Sequence, residues 1–500
     1  MKILQVISFL MFQLSLMPVF AQQWSAPVAI SEKGWQSYLA IDKDDQLHLV
    51  FTGPGEMDST KADIFYTYFN GTVWTIPVNL SCSERDSWDP RLIIDDNNRV
   101  HVIWEDICLP KHPPGPADLF YCCYQNGVWS DPISLDRDDG EYKGFNISNP
   151  VLDSDQRVHL MWDHTPWLKY TYIENGLPSD IQNIQWGGLQ PDIHVDSKDK
   201  IHVAYIDVQK IPIPGSHERS DVFYFYYSEA DSVWSDSVMV YRNPNQYSFV
   251  PQITTDACGR IHIVWLEDED LDALPNDVYH SFSDDGVNWT EAYDISHAGG
   301  NCYFFDMVID SKGHLHVVWD QAYERYRFSV DHIWYAFFNG ESWSEPQRIT
   351  STGRWMGERP TIAVDSQDYL HLVWHGRLYE GEEGAKLLYS TTRPTTKVVS
   401  QEEVNPVTDF QLFQNFPNPF NATTNIIFSI PSSTEVSLTI FDLEGRGVKK
   451  LLAEQMLSPG TYRVPWDSTD ETGKRVASGV YLYQLKAGNF TETRKMILLF

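Results

Sequence analysis

Asp95-Asp96-Asn97-Asn98-Arg99-Val100-His101-Val102-Ile103-Trp104 is the stretch that decides the fold. An Asp opens a short polar turn, a His follows six residues later, and an aromatic stands three beyond it. The phrase recurs at Asp42/His48/Phe51, Asp153/His159/Trp162, Asp196/His202/Tyr205, Asp256/His262/Trp265, Asp310/His316/Trp319 and Asp365/His371/Trp374. Successive Asp residues lie 53, 58, 43, 60, 54 and 55 positions apart. A period of about 40–60 residues marks stacked copies of one supersecondary unit.

Outward from Asp95, each unit reads as four strands, A to D. Pro90–Ile94 is apolar, Val100–Trp104 alternates, and Asp118–Tyr124 is aromatic. Asn126-Gly127 suits a hairpin turn that needs positive φ, and Val128-Trp129-Ser130-Asp131-Pro132 closes the unit. The same ending returns at Trp74-Thr75, Trp234-Ser235, Trp289-Thr290 and Trp343-Ser344, but the last unit stops short of it. Gln23-Trp24-Ser25-Ala26-Pro27 near the N-terminus supplies the missing D strand. The expected fold is therefore an all-β, seven-bladed β-propeller closed by its N-terminal strand. Six or eight blades stay open, because the third unit fades after Trp162.

This register assigns the repeated His residues to the scaffold. Each holds the same place in its own blade, where both faces pack against neighbours, so each is expected to be an interior hydrogen-bonding group. The Asp at each A–B turn is expected to cap backbone N–H groups. Asp42-Lys43-Asp44-Asp45 resembles part of a calcium loop but lacks the central Gly and distal Glu. No cofactor or metal is expected, with calcium as the open alternative.

Function is expected on the rim carrying the long, individual B–C loops and the D–A loops. The catalytic candidates there are Asp163, His164, Asp320, Tyr323, Arg325, Arg359, His375, Arg377 and Tyr379. The ligand-binding candidates are Trp88, Asp89, Glu105, Trp167, Trp186, Asp207, Trp355 and Glu358. Aromatic faces stack on sugar rings, while carboxylates and Arg bond hydroxyls and acids.

Lys2, an apolar run and Pro18-Val19-Phe20-Ala21 read as a signal peptide over residues 1–21, cleaved after Ala21. No later run reaches the roughly 20 apolar residues of a membrane span. Net charge is −32, yet residues 410–500 carry nine Lys/Arg against eight Asp/Glu, which leaves −33 for the remainder. That acidity argues against nucleic acid, whose phosphates need Lys and Arg. The six Cys show no zinc-like spacing.

Phe282-Ser283-Asp284-Asp285-Gly286-Val287-Asn288-Trp289 resembles the Asp-box turn of sialidase-like propellers, with Asp284, Gly286 and Trp289 on the motif and Phe282 in place of its Ser. In that family the boxes brace C–D turns away from the active site, so the resemblance implies fold. The family's Arg-Ile-Pro has Lys210-Ile211-Pro212 as its nearest string here. Seven-bladed propellers also resemble some polysaccharide lyases, which would place His164, His217 or His375 with Tyr323 or Tyr379 as a proton-transfer set.

Residues 396–409 form a Thr/Val/Glu/Pro-rich linker between the propeller (22–395) and a domain at 410–500 with short alternating strands. Its motifs run Asn415-Phe416-Pro417-Asn418-Pro419, Gly445-Arg446, Ser478-Gly479-Val480-Tyr481 and Lys495-Met496. This resembles the type A sorting domain of the type IX secretion system of Bacteroidota. An immunoglobulin-like β-sandwich is expected, and the resemblance implies the secretion machinery as partner. The expected protein crosses the inner membrane and is then secreted or held at the outer surface. Its propeller is expected to be a glycan-binding or interaction module. The alternative is a carbohydrate-active enzyme, either a glycoside hydrolase or a polysaccharide lyase.

Overall fold

The computed structural model describes residues 22–500 apart from 56–59, 70–73, 108–116, 126, 138–144, 165, 210–218, 229–231, 244–246, 269–275, 298–300, 323–330, 351–354, 379–385, 394–409, 416–417, 419, 421–423, 432–433, 458–459, 473 and 500. The signal peptide and its Ala21 cleavage site lie outside the described residues. No helix occurs among the described residues. Two compact units divide at Thr396/Lys397.

Among the described residues the first unit contains seven antiparallel sheets, I to VII in the order of their Asp–His turns. Sheet I runs Trp35–Ile41, Leu47–Pro54, Ala62–Phe69 and Val78–Asn79. Sheet VII joins Trp355–Val364, Leu370–Leu378 and Lys386–Thr391 to Val28–Ser31 from the start of the chain. The Ser or Thr after the Trp of each unit shows that this first strand fills a genuine D position. Ser130, Ser235 and Ser344 each accept a backbone N–H from the preceding C strand at 3.0 Å. Ser25 accepts the Thr391 N–H at 3.1 Å in the same way, across most of the chain. In sheet III, where the Trp is missing, Ser179 accepts the Tyr172 N–H at 3.1 Å.

Seven apolar clusters each span two consecutive sheets, so the ring closes on itself. Val50 and Ile64 of sheet I meet Val102 and Trp104 of sheet II. The ring ends where Leu39 and Leu49 of sheet I pack on Val373 and Leu387 of sheet VII. The repeated aromatics Trp104, Trp162, Trp265, Trp319 and Trp374 are fully buried. Each large aromatic removes about 150–250 Å² from water, on the order of 4–6 kcal/mol before entropy is counted. That accounts for their recurrence at each sheet interface.

The Asp–His phrase is a buried relay. His48, His101, His159, His202, His316 and His371 each place Nδ1 within 2.6–2.8 Å of a C-strand Tyr hydroxyl. In sheet V His280 replaces the Tyr, 3.0 Å from His262. Nε2 faces the Asp six residues earlier, at 3.0 Å for His159–Asp153 and 3.3 Å for His48–Asp42. A carboxylate only accepts, so Nε2 carries the proton and Nδ1 accepts from the Tyr O–H. The other Asp oxygen accepts backbone N–H groups two and four residues on, as Asp95 does from Asn97 and Arg99 at 2.9 and 2.8 Å.

The third residue after each Asp has positive φ, and in five of the seven turns its side chain reaches the neighbouring turn. Asp199 accepts the Ser154 N–H and O–H at 2.8 and 2.6 Å, and Asp368 does the same for Ser311. Asp45 takes the Ser366 N–H and O–H at 2.8 and 2.7 Å, joining the first turn to the last. The acidic run at 42–45 is thus spent on turn and ring contacts. Gly259 and Gly313 hold this place in sheets V and VI and offer no side chain for such a link.

The turn at 282–289 is held by Ser283 and Asp285. Ser283 Oγ donates to the Asn288 carbonyl at 2.7 Å and accepts the Gly286 N–H at 2.9 Å. Asp285 accepts the Val287 and Asn288 N–H groups. Asp284, which the motif alignment places in that role, instead pairs with Arg260 at 3.1 Å.

The second unit has two sheets on one core. Gln411–Leu412, Thr424–Ile430 and Gly460–Trp466 form one; Gly447–Leu457, Thr434–Phe441, Gly479–Ala487 and Phe490–Leu498 form the other. Phe428 and Trp466 from the first pack with Leu438, Tyr483 and Met496 from the second. The motif residues are built into this core. Asn415 is buried, donating its N–H to Tyr483 Oη at 2.8 Å and its amide to Thr424 at 2.9 Å. Asn418 accepts the Ile497 N–H, Tyr481 Oη donates to the Ala477 carbonyl, and the Lys495 carbonyl accepts from Gln414. Gly445 turns at φ 78° after Asp442, and Gly479 opens its strand. Pro417 and Pro419 lie outside the described residues.

Candidate functional site at the channel mouth

Six of the A strands break register at the same place. Paired residues flank the break at Trp35/Ser37, Trp88/Arg91, Leu189/Asp192, Phe249/Gln252, Cys302/Phe305 and Glu358/Thr361. Bulges of this kind re-aim a side chain. In five of them one residue sits at positive φ: Gln36 (46°), Asp89 (51°), Gln190 (49°), Val250 (46°) and Arg359 (51°). Such backbone costs of order 1–3 kcal/mol for a non-glycine residue and persists only where its surroundings hold it.

Carboxylates hold two of the five, while Gln190 Oε1 accepts the Val250 N–H at 2.8 Å and Gln36 Oε1 the Asp89 N–H at 3.4 Å. Asp163 Oδ2 accepts the Gln190 N–H at 2.9 Å, and its other contacts are the N–H and amide of Asn146. Asp320 accepts the Arg359 N–H at 3.0 Å and the Tyr303 and Phe304 N–H groups at 3.0 and 2.8 Å. Two candidates for catalysis are therefore braces of the rim, with oxygens turned to backbone. Burial pushes Asp320 up to about 6 against the pull of these bonds. Asp192 plays the same part for Asn149 and Ile253, and burial lifts it to about 7.

The re-aimed side chains ring a cavity of about 560 Å³. Of the sequence candidates, Trp88, Asp89, Glu105 and Arg359 line it together, joined by Gln36, Arg91, Asn146, Asn149, Gln190, Gln252 and Phe304. Arg91 grips Asp89 with both guanidinium ends at 2.9 and 3.2 Å and lies over the Tyr38 ring. Arg359 lies on the Phe304 face, 3.7 Å from its centroid. Among the described residues no carboxylate comes within ion-pair distance of that guanidinium, and burial lowers its affinity for its proton. Glu105 is buried; one oxygen accepts the Phe145 N–H at 3.1 Å. Burial, with added repulsion from Asp89, Asp163 and Asp106, pushes it up to about 8.

The remaining candidates are dispersed. His164 contacts Asp136 and Lys169, each at 2.8 Å. His375 Nδ1 lies 3.5 Å from Glu358, while its buried Nε2 has no partner among the described residues. Trp167 and Trp186 pack edge to face at 5.2 Å, with Trp186 62% exposed. Asp207 pairs with Gly188 in sheet IV, and burial raises its carboxyl. Trp355 and Arg377 lie on strands of sheet VII, but their side chains are outside the described set, as are Tyr323, Arg325, Tyr379 and His217.

A ring of four-stranded antiparallel sheets with variable residues around its mouth defines a β-propeller. Residues 414–499 match the family described as the secretion system C-terminal sorting domain. The chain therefore carries a sorting tail that commits it to type IX export. Among solved structures, an ulvan lyase, a polysaccharide lyase bound to -[GlcA(1-4)Rha3S]-, is similar at 15% identity and TM-score 0.55, covering 72% of this chain and 95% of that one. A protein of unknown function from Dyadobacter fermentans gives 11%, 0.47, 73% and 97%. A Penicillium chrysogenum alpha-L-arabinanase gives 11%, 0.44, 74% and 98%. At these identities the likeness is one of fold. No curated protein matches the chain. No helix among the described residues is long and apolar enough to cross a membrane.

Proposed function

We propose that the chain is a seven-bladed propeller, led out by the signal peptide at 1–21, that binds a glycan at its channel mouth. Arg359 carries this reading. A guanidinium fixed on Phe304, with no ion-pair partner among the described residues and facing the cavity, is positioned to take an acidic group from a ligand. Gln36, Asn149, Gln190 and Gln252 supply neutral donors and acceptors for hydroxyls, and Trp88 an apolar face. The test is binding of the secreted protein to acidic and neutral polysaccharides. Retention on an acidic glycan that Arg359→Ala abolishes supports the proposal; equal retention by the variant rejects it.

A second reading rests on Glu105. A carboxylic acid held protonated up to about 8 in a sugar-sized cavity can act as a general acid. If the propeller cleaves its glycan, Glu105→Gln ends turnover and leaves binding within a few-fold. Binding without turnover on every polysaccharide assayed assigns the site to recognition.

A further inference from the structure

We propose that Asp310, His314 and His316 form a site for a borderline divalent metal ion of the zinc type. The site lies at the A–B turn of sheet VI, at the far end of the innermost strand from the channel mouth. The seven turns share one design, and what sets this one apart is the ligand-bearing residue four after the Asp. Four residues after the Asp, sheets II and III carry Arg99 and Arg157, whose Nε donates to the same carboxylate oxygen that faces the repeated His. Sheet VI carries His314 there, with Nδ1 2.9 Å from Asp310 Oδ2.

The three ligand atoms lie within 4.8 Å of one another. Asp310 Oδ2 is 3.3 Å from His316 Nε2, a buried nitrogen that has no hydrogen-bond partner among the described residues. Zinc–ligand bonds of about 2.0–2.1 Å set tetrahedral edges near 3.3–3.4 Å; the two edges to Asp310, 2.9 and 3.3 Å, are close to these, and the third lies within 4.8 Å, so the set closes on an ion once the two imidazoles draw together. Nε2 of His101 and His262 is likewise unpartnered, but their turns carry Arg99 and Arg260, which offer no ligand lone pair. His316 Nδ1 lies 2.8 Å from Tyr335 Oη. With Nε2 on a metal, that contact becomes Nδ1–H donating to the Tyr oxygen, the outer-shell bond that orients a metal-ligating imidazole. His314 is 30% exposed, which leaves an open side for water. Lys312 does not compete for the carboxylate, because it pairs with Asp368 at 2.7 Å.

The test uses the full secreted chain, stripped with chelator and titrated with zinc chloride alone, beside His314→Arg. That substitution installs the side chain three sister turns already carry and removes the ligand. The wild type is expected to bind one zinc more per chain than the variant, and zinc is expected to raise the melting midpoint of the wild type only. Equal zinc stoichiometry and equal thermal shift in the two proteins overturn the proposal. Should His314→Arg fail to fold, His314→Gln, the residue sheet I places there as Gln46, serves under the same criteria.

Discussion

Tyr121, His101 and Asp95 form a line of three buried polar groups, with Tyr121 bonded to His101 and Asp95 to Arg99. Burial alone would raise Asp95, but His101 and Arg99 hold it well below the usual carboxylate range. Tyr121→Phe removes one bond and is expected to cost about 1–2 kcal/mol. His101→Ala leaves the buried Tyr121 hydroxyl without its acceptor and opens a cavity, while Asp95 keeps its bonds from Asn97 and Arg99, and is expected to cost about 2–4 kcal/mol; urea unfolding followed by tryptophan fluorescence measures both. Arg359→Ala should leave the urea midpoint within the error while ending glycan retention. The His roles were legible because the same Asp, His and aromatic recur in one register. Gln36 and Phe304 were not, because strict alternation of faces places no residue on an inserted position, and Arg91 was not, because it follows such an insertion. A faint signal does exist: Asp89, Gln190, Val250 and Arg359 each precede a Pro.

At the scale of the strand, the bulge needs space as well as a brace. Two residues before each bulge position stands a small residue: Gly34, Ser87, Gly188, Ser248, Cys302 and Gly357. A Cβ on Gly188 would lie 2.8 Å from Leu168, and one on Gly357 2.7 Å from Ile333. Gly188→Val is therefore expected to destabilise by about 1–3 kcal/mol through overpacking and to weaken glycan binding by moving Gln190. Binding intact with stability lost would separate the two roles. The D strand of sheet III shows the limit of motif reading. Its Trp is absent, so the unit looked incomplete, while the contact that defines the strand is the hydroxyl of Ser179. The turn at 282–289 shows the same limit. Adjacent Asp284 and Asp285 both satisfy a loose pattern, and only hydrogen bonding chooses between them.

At the scale of the molecule, buried carboxyls set the pH response. Burial lifts Glu105 to about 8, Glu267 to about 7 and Asp306 to about 6. These groups hold protons that the unfolded chain has released. Their stabilising effect is complete below the ordinary carboxylate range and is lost as pH climbs through 6 to 8. Asp153 runs the other way: burial opposes, but bonds from His159 and Arg157 bring it down to about 2. Its contribution is present above about 4 and is lost as pH falls toward 2. The melting midpoint is expected to peak near pH 5 and fall toward pH 9; a midpoint that rises steadily to pH 9 contradicts this account. The ring itself was legible from both ends of the chain, since a missing ending and a spare beginning share one sequence phrase.

The closing sheet also has a mechanical meaning. Lys386–Thr391 is the strand from which the chain leaves the propeller toward the sorting domain, and it lies between two antiparallel partners, Leu370–Leu378 and Val28–Ser31. A pull on the tail of a tethered molecule loads this strand along its length, where the bonds on both edges must yield together. With Val28–Ser31 missing, one edge is bare and the strand can be peeled away. Force spectroscopy from the C-terminus should find the propeller opening at markedly lower load once residues 22–31 are deleted. The N-terminal strand would then be the catch that lets the ring be held by its tail.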